Sequence, residues 1–416
     1  MARSFRQLPR KNSPSFPIDR RSFLVGTAAL AVGQLVGGCN RNARETLSIE
    51  LLNDSVPVQL LGKFRQQLSE PIVLDFSPAS QFGDLFSLLQ NLHEKSLDET
   101  EPPSGGGLPF FRRSQNTVPD LVMLGDYWLS KAIEWEFIEP MSVGEFLEWD
   151  QLSDEPIPWK ALVTRDERGQ LAEAGTKDAI WGAPYRWGTM AIAYRRDKFE
   201  ELGWTPTDWS DLWRPELRHR ISLPDSAREV IGLTLKTLGR SYNTKNLAEV
   251  ADLEPKFQAL HQQVKLYSSQ AYLPPLLRED TWLAVAPSID ILSLSQYGRE
   301  IAAVVPQSGT SLWADLWVRP ARKTEVGSEN ESDVALWQRW IDFCWQTQIV
   351  SQLSLLTKAA SPRLTGMQRG LLPENLQTDP VLLPPDSILS NSEFLNPLPD
   401  EAIDGYRELW VRVRSS

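Results

Sequence analysis

The chain has 416 residues, of which 41% are hydrophobic and 23% are charged, and its formal net charge is −11. This length and hydrophobic content suffice for two domains with separate cores. The negative charge argues against nucleic acid as a partner, because proteins that bind nucleic acid neutralise phosphates with basic residues. Two cysteines, Cys39 and Cys344, are too few for a disulfide framework.

The first 39 residues have the pattern of a bacterial export signal. Basic residues precede a twin-arginine pair, Arg20 and Arg21, and an apolar run follows over 24–38. This run is shorter than the ~20 apolar residues that a membrane span needs. It ends at Cys39 in a sequence similar to a lipoprotein cleavage box, with Val36 in the usual place of leucine. We therefore expect twin-arginine export, lipidation of Cys39 and a periplasmic, lipid-anchored protein, with an uncleaved anchor or an ordinary signal peptide as alternatives.

Strands and helices alternate in the part of the chain that follows. The predicted elements are strands at 47–52, 72–76 and 120–124, and helices at 57–68, 84–92 and 129–137. Such alternation is typical of an α/β lobe with a parallel sheet. Residues 94–119 contain consecutive prolines and three consecutive glycines, and this composition predicts a disordered surface insertion.

A strand, a tight turn and a helix are predicted between residues 221 and 239. Asp225 lies in the turn, Ser226 is a good N-cap, and Glu229 three residues later completes a capping box. Ligands of open α/β sheets bind beyond the carboxyl ends of the strands. Carboxylates at that position, instead of glycines and bare amides, indicate a cationic ligand. The capping box is an equally good explanation of Glu229.

Three stretches carry a resemblance to a known family. They are PYRWGTMAIAYRRDKF at 184–199, SDLWRPEL at 210–217 and PDSAREVIGLTLKTLGRSYNT at 224–244. They resemble the periplasmic spermidine/putrescine-binding proteins of ABC transporters, and a weaker resemblance extends from residue 47 to the C-terminus. It implies an α/β, two-lobed type II periplasmic binding protein fold, with parallel-core mixed sheets flanked by helices and a ligand cleft at the hinge.

The resemblance also implies lobe boundaries. Lobe 1 would comprise 45–188 and 315–366, and lobe 2 would comprise 190–312 and 370–416. The apolar run 180–194 would cross between the lobes and act as a hinge, and its internal glycines are consistent with bends. An ordinary central strand is the alternative interpretation of this run. Further predicted elements are a helix at 256–267, strands at 282–287 and 301–305, one or two helices at 334–356, and a helix at 400–414.

The Trp-x-Asp pair at Trp313 and Asp315 matches the most characteristic ligand contact of that family. The resemblance implies that the indole covers a methylene chain and that the carboxylate binds an ammonium group. A cation over an indole face gains ~0.5–2 kcal/mol. The alternatives are core packing for Trp313 and a turn role for Asp315. The predicted ligand-binding residues are Asn53, Asp54, Tyr127, Asp225, Ser226, Glu229, Trp313 and Asp315, and for Asp54 a helix cap is the rival role.

The chain departs from the family at four positions where the family has ligand-facing side chains. Gly125, Ala286, Ala360 and Leu395 stand in place of a serine, a tryptophan, a tyrosine and a glutamine, respectively. These departures favour a rival hypothesis, in which the chain is a degenerate member of the family. It would then bind a different small ligand or act as a scaffold without a transport role.

The resulting expectation is an exported, monomeric solute-binding protein that needs no cofactor or metal. It would capture a polyamine or related organic cation by hinge closure and deliver it to an ABC transporter permease. Ferric iron is a rival ligand, but the paired late tyrosines typical of iron binding are reduced to Tyr406 after Tyr297. An enzyme is not expected, because the sequence has no nucleophile elbow, zinc-protease motif or P-loop.

Overall fold

The computed structural model describes residues 45–98, 118–142, 146–172, 177–294, 300–322 and 334–415. The predicted signal segment, including Cys39, lies outside these residues. Residues 99–117 of the predicted insertion also lie outside them, while residues 94–98 belong to a helix. No helix within the described ranges is long and apolar enough to cross a membrane.

Strands and helices alternate along most of the described chain. The strands are β1 (Thr46–Leu52), β2 (Val73–Ala79), β3 (Leu121–Gly125), β4 (Ile138–Glu139), β5 (Thr164–Arg165), β6 (Ala179–Ile180), β7 (Ala183–Arg195), β8 (Ile221–Leu223), β9 (Val264–Tyr267), β10 (Leu283–Pro287), β11 (Ile301–Val304), β12 (Ser311–Pro320) and β13 (Glu393–Phe394). The helices are α1 (Val58–Gln67), α2 (Phe82–Asp98), α3 (Asp126–Glu134), α4 (Trp159–Val163), α5 (Arg196–Leu202), α6 (Ala227–Lys236), α7 (Leu253–His261), α8 (Pro274–Leu277), α9 (Ser288–Leu294), α10 (Leu336–Trp345), α11 (Thr347–Thr357), α12 (Glu374–Gln377), α13 (Asp386–Leu389) and α14 (Asp400–Arg414).

One mixed sheet runs through the molecule in the order β2-β1-β3-β12-β7-β10-β8-β9. The strands on each side pair in parallel, β1 with β2 and β3, and β8 with β9 and β10. The two long central strands pair antiparallel with each other, and each also pairs antiparallel with a neighbour on its own side. The carboxyl ends of the parallel strands therefore face the middle of the fold from two sides.

The strand β7 passes from one hydrophobic core into the next. Its residues Tyr185 and Trp187 belong to a core built by residues 47–187 and 312–394. Further along, Met190 and Ile192 belong to a second core that includes the closing helix α14. Ala191 and Ala193, on the opposite face of the strand, join a third, smaller core. Because the cores change at Gly188, the strand connects two lobes at this point.

Most predicted elements are confirmed within a few residues. The strands predicted near residues 47, 72, 120, 180, 221, 282 and 301 are present, and the helix at 400–414 has the predicted bounds. The helix predicted over 256–267 is wrong in its second half, because Val264–Tyr267 forms β9 and pairs with β8. The pairing places these four residues in the sheet, although the apolar pattern alone also fits a continued helix.

Candidate ligand-binding site

Two helix N-termini from different lobes each present a carboxylate. Asp126 is the first residue of α3 and follows β3 directly, while Glu229 lies in the first turn of α6. The positive end of a helix dipole favours a negative charge at such positions. The strand β12 links the two groups. The Ala314 N–H donates to Asp126 Oδ1 at 3.0 Å, and the Ser311 hydroxyl donates to Glu229 Oε2 at 2.5 Å.

Asp126 is a partly exposed carboxyl group with an elevated pKa. Burial, together with the negative charges of Asp315 and Glu229, raises the pKa to about 7 against the opposing effect of hydrogen bonds from the backbone. All three acids are associated with the same stretch of β12, because Asp315 lies on this strand and Ala314 and Ser311 of the strand donate to Asp126 and Glu229. Arg165 is also within electrostatic reach of Asp126.

Glu229 has the same character on the other side of the site. Burial raises its pKa to about 7, against the hydrogen bond from Ser311 and the positive charge of Arg228. The Ser226 hydroxyl accepts a hydrogen bond from the Glu229 backbone N–H at 3.4 Å, so Ser226 is the N-cap. The Glu229 side chain, however, is bonded to Ser311 on β12, so it faces away from the cap and towards the site.

Asp315 lies inside β12 and is paired with an arginine. It stands opposite Arg186 of β7 in the strand register, and Arg186 Nε donates to Asp315 Oδ2 in a short hydrogen bond. The Asp315 side chain is only 3% exposed, and the Arg186 side chain is only 6% exposed. Burial raises the pKa of Asp315, and the Arg186 guanidinium opposes this shift. The turn role considered for Asp315 is therefore wrong, and the carboxylate already has a cationic partner.

Trp313 lies on the same face of β12, two residues before Asp315. Its indole packs against Gly188 of β7, where an added Cβ would come within 2.5 Å of Trp313 Cζ2. The side chain is partly exposed, and its Nε1 has no hydrogen-bond partner among the residues described. Trp313 therefore lies on β12 between Ser311 and Ala314, which donate to Glu229 and Asp126, at the point where β7 passes between the cores.

Three other predicted ligand-binding residues are exposed. Tyr127 follows Asp126 and is 66% exposed, and its hydroxyl is within electrostatic reach of Arg228. Asn53 and Asp54 occupy an exposed turn after β1, the strand next to β3 in the sheet.

Asp225 does not join the three acids. It is exposed and forms a salt bridge with Arg414 of α14. The guanidinium of Arg414 also stacks on Tyr267 and Trp410. The two acids that follow β8 therefore have different partners. Asp225 binds the closing helix α14 of lobe 2, while Glu229 faces the site.

Sequence reasoning missed Asp126, Arg186 and Arg228 as parts of this site. Asp126 had a usable signal, because it directly follows a fully apolar strand, which is where an α/β sheet presents ligand-binding groups. It was overlooked because the helix was predicted to begin at Leu129. The sequence around Arg186 does not indicate a site residue, apart from the fact that this charged residue lies in a mostly apolar strand.

The described residues offer no cluster of three or more histidine, cysteine or acidic groups arranged to hold a metal ion. Asp126, Glu229 and Asp315 therefore do not form such a cluster. What the arrangement offers is a pair of acidic groups, one from each lobe, next to an indole and a charge-neutral Arg–Asp pair. Such a site is suited to a compact organic cation.

The fold and this site together define a two-lobed solute-binding protein. Residues 116–390 match the family described as bacterial extracellular solute-binding protein, and the chain belongs to that family. Its members bind solutes for transport and are not enzymes, in agreement with the prediction from the sequence.

The chain is also similar in sequence to proteins whose names describe them as solute-binding proteins. A spermidine/putrescine-binding periplasmic protein of Salmonella typhimurium is 26% identical over 236 residues, which cover 56% of this chain and 64% of that protein. A putrescine/cadaverine-binding protein of Pseudomonas aeruginosa is 22% identical and is matched over 91% of this chain and 96% of its own. The first match thus spans slightly less than two thirds of the relative's length.

Solved structures confirm the fold. The substrate-binding protein of a spermidine/putrescine ABC transporter from Streptococcus pneumoniae superposes with a TM-score of 0.70 at 19% identity. The superposition covers 89% of this chain and 99% of that protein. The type II periplasmic binding protein fold expected from the sequence is therefore confirmed.

Proposed function

We propose that the protein captures a small polyamine outside the cytoplasmic membrane and delivers it to an ABC transporter permease. The observation that carries this proposal is the pair of acidic groups, Asp126 from lobe 1 and Glu229 from lobe 2, which are both hydrogen-bonded to the strand that carries Trp313. The names of the relatives, which bind spermidine, putrescine or cadaverine, support the same ligand class.

One ammonium group of the ligand would lie between Asp126 and Glu229. A charge-assisted hydrogen bond to a carboxylate is roughly twice as strong as a neutral one. Trp313 would cover the adjacent methylene groups, and Tyr127 would shield the ligand from the exposed side. Because the two carboxyl groups come from different lobes, a bound ammonium group would stabilise the closed arrangement of the lobes by its differential affinity.

The lobes that move would follow the core boundaries. We propose the expected lobes, 45–188 with 315–366 as lobe 1 and 190–312 with 370–416 as lobe 2, joined at β7 and β12, with one exception inside the range 370–416. The segment 372–389 would move with lobe 1, because its leucines pack into that core. The protein would act as a monomer, exported by the twin-arginine route and anchored through a lipid on Cys39.

A thermal-shift screen tests the ligand class. The purified protein is melted with putrescine, cadaverine, spermidine, choline, arginine and ferric iron. A ligand at about 100 times its dissociation constant adds ~2.7 kcal/mol to the folded state, enough to move the midpoint by a few degrees. We expect stabilisation by the polyamines alone. Stabilisation by iron alone, or by none of these ligands, would contradict the proposal and favour the degenerate or iron-binding alternatives.

A further inference from the structure

Asp315 carries an internal counter-ion that is built into the sheet. Arg186 and Asp315 are paired residues on adjacent central strands, and both side chains are almost completely buried. The guanidinium donates directly to the carboxylate. A long side chain held by a strand register and by burial has little freedom to leave this partner.

The pair determines how much negative charge the site offers to a ligand. Three acids are associated with β12: Asp315 lies on the strand, Ala314 of the strand donates to Asp126, and Ser311 of the strand donates to Glu229. The charge of Asp315 is cancelled by Arg186, so that Asp126 and Glu229 remain for ligand ammonium groups. The other charged groups within reach are Arg165 beside Asp126 and Arg228 beside Glu229. Both are cations, so they reduce the negative potential further.

We propose that Arg186 is a specificity-determining residue, which occupies Asp315 in place of a ligand ammonium group and restricts the site to short diamines over longer triamines. The inference rests on the proposed function, because it refines the ligand class of that same site. A triamine would have to bring its additional ammonium group close to a buried guanidinium, or displace that guanidinium from Asp315. Either step leaves a buried charge without a partner, which is strongly unfavourable.

Four forms of the protein test this inference by calorimetric titration with putrescine and with spermidine. They are the wild type, Arg186→Met, Asp315→Asn and the double variant Arg186→Met/Asp315→Asn. Circular dichroism and melting midpoints establish that each variant is folded. Methionine keeps most of the length of the arginine side chain and removes its charge.

The expected results follow from the charge that each form presents. The wild type should bind putrescine about tenfold or more tightly than spermidine, the magnitude of one hydrogen bond to a charged group. Arg186→Met frees Asp315, so it should reverse or abolish this preference. Asp315→Asn leaves Arg186 unpaired and should weaken both amines. The double variant removes both charges of the pair, so it should discriminate against spermidine less than the wild type does, because the buried guanidinium is gone.

Different failures have different meanings. A wild type that binds spermidine as tightly as putrescine would overturn the inference and leave the proposed function standing. If Arg186→Met does not fold, the double variant decides. Loss of putrescine binding in the double variant would assign Asp315 to the ligand and overturn the inference. If no form binds either amine, both the inference and the proposed function are wrong.

Discussion

At the scale of single residues, the proposed site contains two acids, Asp126 and Glu229, that are only partly ionised near neutral pH. Asp126 and Glu229 both have a pKa of about 7, chiefly because burial disfavours their charged forms. In the ligand-free protein at pH 7, these groups hold a substantial share of their protons. A bound ammonium group favours the carboxylates, so its binding has to release protons.

We therefore predict that the affinity for putrescine falls as the pH is lowered from 8 to 6. The stability of the ligand-free protein should change in the opposite direction and be higher at low pH. Because the folded-state pKa values of Asp126 and Glu229 lie above the ordinary values of 3.8 and 4.5, these groups favour the ligand-free fold at low pH. That contribution is lost as the pH rises through about 7. Melting scans with and without putrescine across this range measure both effects.

Asp126→Asn is the matched control for the pH dependence. It removes one of the two titrating groups and should reduce the change in affinity between pH 6 and pH 8. An unchanged pH profile in this variant would show that other groups take up the protons. The next candidate is Asp315 on β12, because burial also raises the pKa of this group.

Single residues also show which parts of the candidate site could be predicted from the sequence. Glu229 and Asp315 were predicted as site residues, and the structure associates both with β12, the strand that also donates to Asp126. Asp225 was predicted on the same grounds as Glu229, yet it pairs with Arg414 at the far end of the chain. No local pattern distinguishes the two acids, because the distinction comes from where α14 packs. The same holds for the Arg186–Asp315 pair, which depends on the register of two distant strands.

At the scale of elements, the crossing of β7 and β12 sets the position of the indole. Trp313 lies opposite Gly188 in the register and packs directly on it. Any side chain at position 188 would have to displace either the Trp313 ring or Ser288 of α9. The glycine was expected to mark a bend in a hinge strand. The structure adds a second reason for it, which is the close approach of the indole.

We predict that Gly188→Ala destabilises the protein by about 1–3 kcal/mol, the usual cost of overpacking a filled site. It should also weaken putrescine binding, because the displaced indole no longer covers the ligand. Denaturant unfolding and calorimetric titration measure the two effects. Gly62→Ala is the matched control, since position 62 lies in the exposed part of α1 and an added Cβ meets nothing within 4 Å.

The control should be neutral or stabilising by up to about 1 kcal/mol, because alanine is a better helix former than glycine. Equal losses of stability in both variants would argue against a specific contact between residue 188 and the indole.

The helix predicted over 256–267 is wrong where β9 forms. Four residues are too few for an apolar pattern to distinguish a strand from a helix, and pairing with β8 decided the outcome.

At the scale of the whole molecule, the long strand β7 connects the first hydrophobic core to the two others. The alternation of strands and helices predicted an α/β architecture, and the family resemblance supplied its two-lobed form. The path of the chain between the lobes was harder to foresee. Residues near 372–389 pack with the first core although they were assigned to lobe 2, because apolar runs do not reveal which of two cores they join.

We predict that putrescine makes the molecule more compact. A ligand that contacts acids from both lobes favours the closed state, so the radius of gyration in small-angle X-ray scattering should decrease on saturation. The Glu229→Gln variant should show no decrease at the same putrescine concentration. A decrease of equal size in that variant would show that closure does not depend on the acid from lobe 2.

Calorimetric titration of putrescine at pH 8 into the wild type, Glu229→Gln and Asp225→Asn is the most direct measurement of the central claim. We predict one binding site per molecule in the wild type and the same affinity in Asp225→Asn, since Asp225 lies outside the site. Glu229→Gln should bind about ten- to a hundredfold more weakly, the effect of losing one charge-assisted hydrogen bond of ~1.5–3 kcal/mol. No binding to the wild type, or equal binding to the wild type and Glu229→Gln, would contradict the account.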